Sequence, residues 1–157
     1  MTPEELLKQG PEALQAIRTE LAKRSLLEFT RQAWPILEPG TPMKSGWVME
    51  AICEHVEAVF NGEIKRLVVN VPPGASKSRL VRVMAPLYLW TKKPWARIIG
   101  ASYALSLSER DSYYARTIIQ SDWYKNNFGV SISSEQGAKI NFDHDHMGGM
   151  RAISFGG

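Results

Sequence analysis

Hydrophobic residues near the start of the chain recur at helical spacing. Between residues 3 and 35 they fall three, four or seven positions apart, which places Leu6, Leu7, Leu14, Ile17 and Leu21 on one helical face. Gly10 and Pro11 interrupt this stretch, and a proline suits the first turn of a new helix. Ser25, with Glu28 three residues later, has the spacing of a capping box. The first 35 residues are therefore predicted to be mostly helical.

The pattern changes from helical to extended in the next part of the chain. Residues 36–46 carry two prolines and two glycines and predict a loop. Residues 47–60 predict an amphipathic helix that ends near Asn61 and Gly62. Residues 66–71, with the sequence RLVVNV, are a short β-branched run typical of a strand buried on both faces of a sheet.

Helices and strands continue to alternate beyond this point. Residues 77–90 are apolar nearly all round, which predicts a helix inside a larger domain, with Pro86 kinking it or breaking its hydrogen bonding. Residues 96–101 predict a second strand and residues 103–120 another helix. Weaker strand signals follow at residues 130–132, 139–142 and 151–155. The order predicts an α/β fold, a parallel sheet flanked by helices.

Composition and charge limit the class of protein but do not indicate a particular function. The 157 residues suffice for one compact domain, and 44% hydrophobic with 22% charged residues is ordinary for a soluble protein. The net charge of +3 permits a nucleic-acid partner without arguing for one, because the basic residues are scattered. No apolar run approaches the ~20 residues that span a bilayer, and no secretory signal is expected. With Cys53 the only cysteine, an internal disulfide is excluded and an intracellular protein fits best.

The sharpest candidate for chemistry lies where the predicted strand meets the apolar helix. The stretch from Val68 to Ser78 reads VVNVPPGASKS, so a strand runs into a tight loop and Lys77-Ser78 opens a helix. Free N–H groups at a helix start carry partial positive charge and bind anions. Lys77 would bridge the β- and γ-phosphates of a nucleotide, and the Ser78 hydroxyl would bind Mg²⁺.

This loop departs from the common phosphate-binding pattern G-x-x-x-x-G-K-[ST]. Val71 and Ser76 occupy its two glycine positions. A side chain at Ser76 stands where the backbone must pass close to phosphate, which would weaken binding or adjust it. The same residues are compatible with a proline-rich turn in which Ser76 is an N-cap and Lys77 an ordinary helix lysine. The residues alone leave both interpretations open.

Several stretches follow one another in the order known from one protein family. They are Ile52–His55, GEIKRLVVNVPPGASKSRLVRVMAPLYLW, Ser102-Tyr103, Arg110–Ser112, Gln120–Tyr124 and Gly149–Ser154. Together they resemble the large terminase subunit, the DNA-packaging motor of tailed bacteriophages. That family has a deviant phosphate-binding loop in which a strand ending in Val/Ile-Pro-Pro leads to Lys-Ser. The likeness covers about residues 45 to 157.

The resemblance implies a fold and a domain organisation. Residues 45–157 would be the first part of a P-loop NTPase domain of the ASCE/RecA-like kind, preceded by an N-terminal helical region over residues 1–44. In the family, an acidic Walker B strand with the Mg²⁺-binding aspartate and the catalytic glutamate comes later, followed by a nuclease domain. Both are expected beyond Gly157. We therefore expect this chain to be inactive or nearly so as an ATPase on its own.

The resemblance also assigns roles to individual residues. Gly74, Ala75, Ser76, Lys77 and Ser78 would bind the phosphates of ATP, with Lys77 also acting in catalysis and Ser78 holding Mg²⁺. Within the same site, the tryptophan at position 47 is a candidate for contact with the adenine.

For Trp47 the alternative is the more common role of a tryptophan, packing in the core.

Two arginines on the predicted helix 103–120 are further candidates. Arg110 and Arg116 could supply an arginine finger for the γ-phosphate or contact the DNA backbone. Ordinary surface salt bridges, for example with Asp111, are the alternative.

The function implied by the resemblance is an ATPase that moves double-stranded DNA into the procapsid, in a protein that is also an endonuclease. Its cofactors would be ATP and Mg²⁺. Its partners would be double-stranded DNA, the small terminase subunit, the portal and further copies of itself in a ring, in the cytoplasm of an infected or lysogenic bacterial host and without a membrane. The alternatives are another P-loop DNA-dependent ATPase, such as a helicase-like one, or a non-catalytic remnant of the fold.

A second polar motif, Asp143-His144-Asp145-His146, has alternating residues that could share a metal ion. Met147, Gly148 and Gly149 follow directly, which favours a polar hairpin between Phe142 and Met150. A metal site needs a third ligand that the sequence does not clearly supply. The motif is therefore predicted to be a solvated turn.

Overall fold

The computed structural model describes residues 10–132 and 141–155, and these residues form an α/β structure. Its helices are α1 (Gly10–Arg24), α2 (Leu26–Leu37), α3 (Trp47–Phe60), a π-helix (Arg79–Met84), α4 (Ala85–Lys92), α5 (Leu105–Ile119) and α6 (Asp122–Phe128). Its strands are β1 (Arg97–Ser102), β2 (Phe142–Asp143) and β3 (Gly149–Ser154). The predicted α/β class is confirmed.

Local capping sets the start of α2. The Ser25 side chain accepts a hydrogen bond from the Glu28 backbone N–H at 3.4 Å, so the predicted N-cap is confirmed. The helix then continues through Pro35 to Leu37, slightly into the predicted loop. The predicted helical residues 3–9 lie outside the described part of the chain.

Aromatic side chains join the helices into one core. The Phe29 ring of α2 lies 5.9 Å from Tyr88 of α4 and 6.2 Å from Tyr124 of α6, both in the edge-on arrangement that aromatic pairs favour. The Tyr124 hydroxyl donates to the Leu87 carbonyl at 2.8 Å, which satisfies a buried polar group. The N-terminal helices therefore share their core with the rest of the described chain.

The predicted break at Pro86 takes the form of a change in helix type. Residues 79–84 are π-helical, and the Ala85 N–H donates to the Leu80 carbonyl five residues earlier. Proline has no N–H to donate, so the regular α-helical bonding cannot run through position 86. This π-helical segment follows shortly after the loop around Gly74, and π-helical turns are frequent at functional sites.

The sheet has the order β1-β3-β2 and is mixed. β1 pairs with β3 in parallel, from Arg97 opposite Gly149 to Ser102 opposite Ser154. β2 pairs with β3 antiparallel, so the prediction of a parallel sheet is wrong for this strand. The reason is the short connection over residues 144–148, which is long enough for a hairpin but not for a crossover.

Two of the weaker strand signals are only partly matched by the structure. Within residues 130–132, Ile132 forms only an isolated bridge to His144. The signal over residues 139–142 is represented by β2, and residues 139–140 lie outside the described part of the chain.

Residues 66–71 do not form the predicted strand. They have no regular secondary structure and no ladder partner among the described residues. Leu67, Val69 and Val71 pack partly against the core, whereas Val68 is 91% exposed. Only one face of the segment is therefore covered. A β-branched run predicts burial, but it does not reveal whether a second layer covers the other face.

None of the helices in residues 10–132 and 141–155 has the length and apolar character needed to cross a membrane.

Candidate phosphate-binding site

The loop between residues 66–71 and the π-helix has an unusual backbone. Gly74 has a φ of +89°, a conformation that glycine adopts without steric cost. Ser76 has a φ of +54°, in the left-handed region that residues with a Cβ rarely occupy. The structure thus places Ser76 in a glycine-favouring conformation at the position where the phosphate-binding pattern has its second glycine.

The backbone N–H groups of this loop are unpaired. Within the described residues, none of the N–H groups of Gly74, Ala75, Ser76, Lys77 and Ser78 donates a hydrogen bond. The first bond of the following helix runs from the Leu80 N–H to the Ser76 carbonyl at 3.0 Å. Successive N–H groups at a helix start form a concavity that suits an anion.

A cavity of about 370 Å³ opens beside the loop. It is lined by residues 71–79 together with Arg110 and Asp111 of α5. The structure therefore brings Arg110 to the same place as the predicted phosphate-binding residues. The size is within the usual range for small-molecule sites, about 300–1,000 Å³.

Lys77 and Ser78 differ in the hydrogen bonds that their side chains make within the protein. The Lys77 ammonium donates one long hydrogen bond, of 3.4 Å, to the Val69 carbonyl. The Ser78 side chain is exposed and makes no hydrogen bond with another described residue. Both side chains therefore keep hydrogen-bonding capacity for a ligand.

Asp111 carries the carboxylate of this cavity, and it is buried. Asp111 as a whole is 4% exposed to solvent. One oxygen, Oδ2, lies 3.0 Å from Arg82 Nε, and the other, Oδ1, lies 3.0 Å from Arg110 Nη2. The predicted salt bridge between Asp111 and Arg110 therefore forms, with Arg110 49% exposed, but the Asp111 carboxylate itself is buried and does not lie at the surface. The missed signal is the run of polar residues, Ser108, Asp111 and Ser112, along the inward face of α5.

Arg79 also lines the cavity, but its charge is engaged elsewhere. Its Nη1 forms an ion pair with Glu38 at 2.5 Å. Its guanidinium also lies over the Tyr114 ring, 4.4 Å from the centroid. Through these contacts Arg79 links the π-helix to Glu38, at the end of α2, and to α5.

Trp47 is not a core residue in this structure, since it is 78% exposed. It lines a second cavity, of about 460 Å³, with Trp34, Lys44 and the loop residues 74–76. The loop thus separates a polar cavity on the side of Arg110 from a partly aromatic one on the side of Trp47. This places Trp47 where a base could stack while phosphates occupy the loop.

Comparison with models of protein families, with curated proteins and with solved structures finds no match to this chain. The assignment of the site therefore depends on the sequence pattern and on the geometry of the loop.

Arg116 does not line either cavity beside the loop. Its guanidinium carbon lies 5.9 Å from the centre of the Phe142 ring, and its buried Nε has no hydrogen-bond partner among the described residues. The two arginine candidates are thus separated: Arg110 lies at the loop and Arg116 lies against the β2–β3 hairpin.

The predicted hairpin between Phe142 and Met150 forms, and its turn is solvated at Asp145, His146 and Met147, but His144 is buried. His144 is 2% exposed, and its ring lies 4.7 Å from that of Trp90. Burial lowers the pKa of His144 below its ordinary value. Asp145 is held by Ser131, whose N–H and hydroxyl donate to its carboxylate at 3.1 and 2.8 Å. No group of three metal-binding side chains occurs among residues 10–132 and 141–155.

Proposed function

We propose that this chain binds the phosphates of ATP, together with Mg²⁺, at the loop from Gly74 to Ser78. The observation that carries the proposal is the run of unpaired backbone N–H groups over residues 74–78 beside a cavity lined by Lys77 and Arg110. A polyphosphate has the charge and the acceptor oxygens to satisfy these donors. A plain proline-rich turn would leave them to solvent.

The residues present fit a metal ion that arrives with the nucleotide. Ser78 offers one exposed hydroxyl, and Mg²⁺ commonly takes its other ligands from phosphate oxygens and water. The carboxylate of the cavity, Asp111, is already held by two arginines. Bound Mg²⁺ would neutralise charge on the phosphates. The expectation that this chain hydrolyses ATP slowly on its own agrees with that engaged carboxylate and stays a prediction.

At the level of the whole protein, we propose the ATP-binding part of a large terminase subunit that moves double-stranded DNA into a phage procapsid. What supports the packaging role, over that of another P-loop DNA-dependent ATPase, is the ordered likeness over residues 45–157. The small terminase subunit, the portal and a ring of copies belong to the same proposal.

The test is the affinity for ATP with Mg²⁺, measured by calorimetry on the wild type and on Lys77→Ala. A hydrogen bond to a charged group contributes about 1.5–3 kcal/mol, so the variant should bind roughly ten- to a hundredfold more weakly. Lys93→Ala is the matched control, because Lys93 also donates to a backbone carbonyl, that of Phe60 at 2.8 Å, and does not line the cavity. Equal affinity of wild type and Lys77→Ala would contradict the assignment.

A further inference from the structure

Asp111 is the centre of a charge cluster next to the phosphate-binding loop. Its side chain, on α5, is only 6% exposed. It lies between Arg82 of the π-helix and its own neighbour on α5, Arg110. Arg110 directs both Nε, at 3.3 Å, and Nη2, at 3.0 Å, to Asp111 Oδ1. The contact therefore fixes the orientation of the guanidinium and leaves Nη1 and its protons uncommitted.

The cluster is anchored on the side of the sheet. Arg82 Nη2 donates to the Ser108 hydroxyl at 2.9 Å, and the Ser108 and Ser102 hydroxyls lie 2.6 Å apart. Ser102 is the last residue of β1. Arg82 and Asp111 are thus tied to the carboxyl end of β1, whereas the Arg110 side chain is 49% exposed. Arg110 and Asp111 both line the cavity beside the loop, and Arg110 is the exposed one of the two.

Building on the proposed function, we propose that Asp111 is a positioning residue that holds Arg110 in the cavity as a second cationic ligand, beside Lys77, for the phosphates of the nucleotide. A flexible arginine would lose side-chain entropy on binding, and a guanidinium already fixed by a carboxylate loses less. Arg110 touches the ligand, and Asp111 acts through Arg110.

For Asp111→Asn, a positioning role and simple electrostatics predict opposite changes in the affinity for ATP. Asp111→Asn removes a negative charge beside the cavity, and charge alone would then strengthen the binding of an anion. If Asp111 instead acts by fixing Arg110, the same change releases the guanidinium and weakens binding. The direction of the change in affinity therefore separates positioning from a bulk effect of charge.

The experiment measures the affinity for ATP with Mg²⁺ of Asp111→Asn, Arg110→Ala and the double variant by calorimetry. We expect each single variant to bind about tenfold more weakly, the scale of one charge-assisted hydrogen bond. The double variant should bind no more weakly than Arg110→Ala, because Asp111 acts only through Arg110. Asp143→Asn is the matched control: Asp143 pairs with Arg151 at 2.7 Å and does not line the cavity.

The outcomes are separable. If the wild type binds ATP and Asp111→Asn binds it with equal or higher affinity, the role of Asp111 is overturned and the proposed function stands. A double variant whose loss is the product of the two single losses would also overturn it. If the wild type binds no ATP, the proposed function fails and this inference fails with it. Circular dichroism reports whether Asp111→Asn folds. If it does not, Arg110→Lys serves instead, and wild-type affinity of that variant would overturn the proposal.

Discussion

Two polar turns in this chain differ in what their polar groups contact. In the β2–β3 hairpin, Asp143 pairs with Arg151 and Asp145 accepts two hydrogen bonds from Ser131. In the loop at residues 74–78, the backbone N–H groups have no acceptor within the described residues. Both turns hold a residue other than glycine at positive φ, Met147 at 64° and Ser76 at 54°. Backbone strain is therefore common to both turns, and the unpaired donors are what distinguish the loop as the candidate binding site.

The packing around glycine gives the largest predicted difference between the two turns. A Cβ at Gly148 would stand 2.2 Å from the Pro94 carbonyl oxygen and 2.5 Å from His144 Nε2, whereas one at Gly74 would have nothing within 4 Å. We expect Gly148→Ala to lower the free energy of unfolding by about 3 kcal/mol. Gly74→Ala should cost only about 1 kcal/mol, because it meets backbone strain alone. Urea denaturation measures both, and equal losses would remove the contrast between a packed and an open turn.

The pH dependence of stability should come from the hairpin. Burial lowers the pKa of His144, so below the ordinary imidazole pKa of about 6.5 the unfolded chain binds a proton that the folded chain does not. Stability should therefore fall as the pH falls from 7.5 to 5.5, by at most about 1.4 kcal/mol per pH unit from this group. The facing charges are Asp143, Asp145 and His146.

Denaturation at both pH values tests this prediction on two matched variants. His144→Gln should flatten the dependence, whereas His146→Gln, at a half-exposed side chain, should keep it. The same pH dependence in His144→Gln as in the wild type would show that another group is responsible.

The smallest effects should come from relieving backbone strain. Ser76→Gly and Met147→Gly each remove a side chain from the left-handed region and should stabilise the fold by about 0.5–1 kcal/mol. The Ser76 side chain makes no capping hydrogen bond with another described residue, so no cap is lost. Ser76→Gly should also leave the affinity for ATP intact or raise it. A large loss of affinity would contradict the placement of the loop.

The local parts of this fold could be predicted from the sequence, and the long-range parts could not. The helix over Trp47–Phe60 has the predicted bounds because its apolar spacing and its end signal are both local. The predicted strand at residues 66–71 failed because a strand needs a partner, and the sequence does not show where one lies. Asp111 was missed as a buried residue because Arg82, its partner, lies on a different helix.

The central claim concerns the unpaired N–H groups of residues 74–78, and hydrogen–deuterium exchange observes them directly. Without ligand these amides should exchange fast, because no hydrogen bond protects them. Saturating ATP with Mg²⁺ should slow their exchange and leave unchanged the hairpin amides of His144 and Met147, which are already bonded to the Gly148 and His144 carbonyls. Unchanged exchange at residues 74–78 in the presence of ATP and Mg²⁺ would contradict the account.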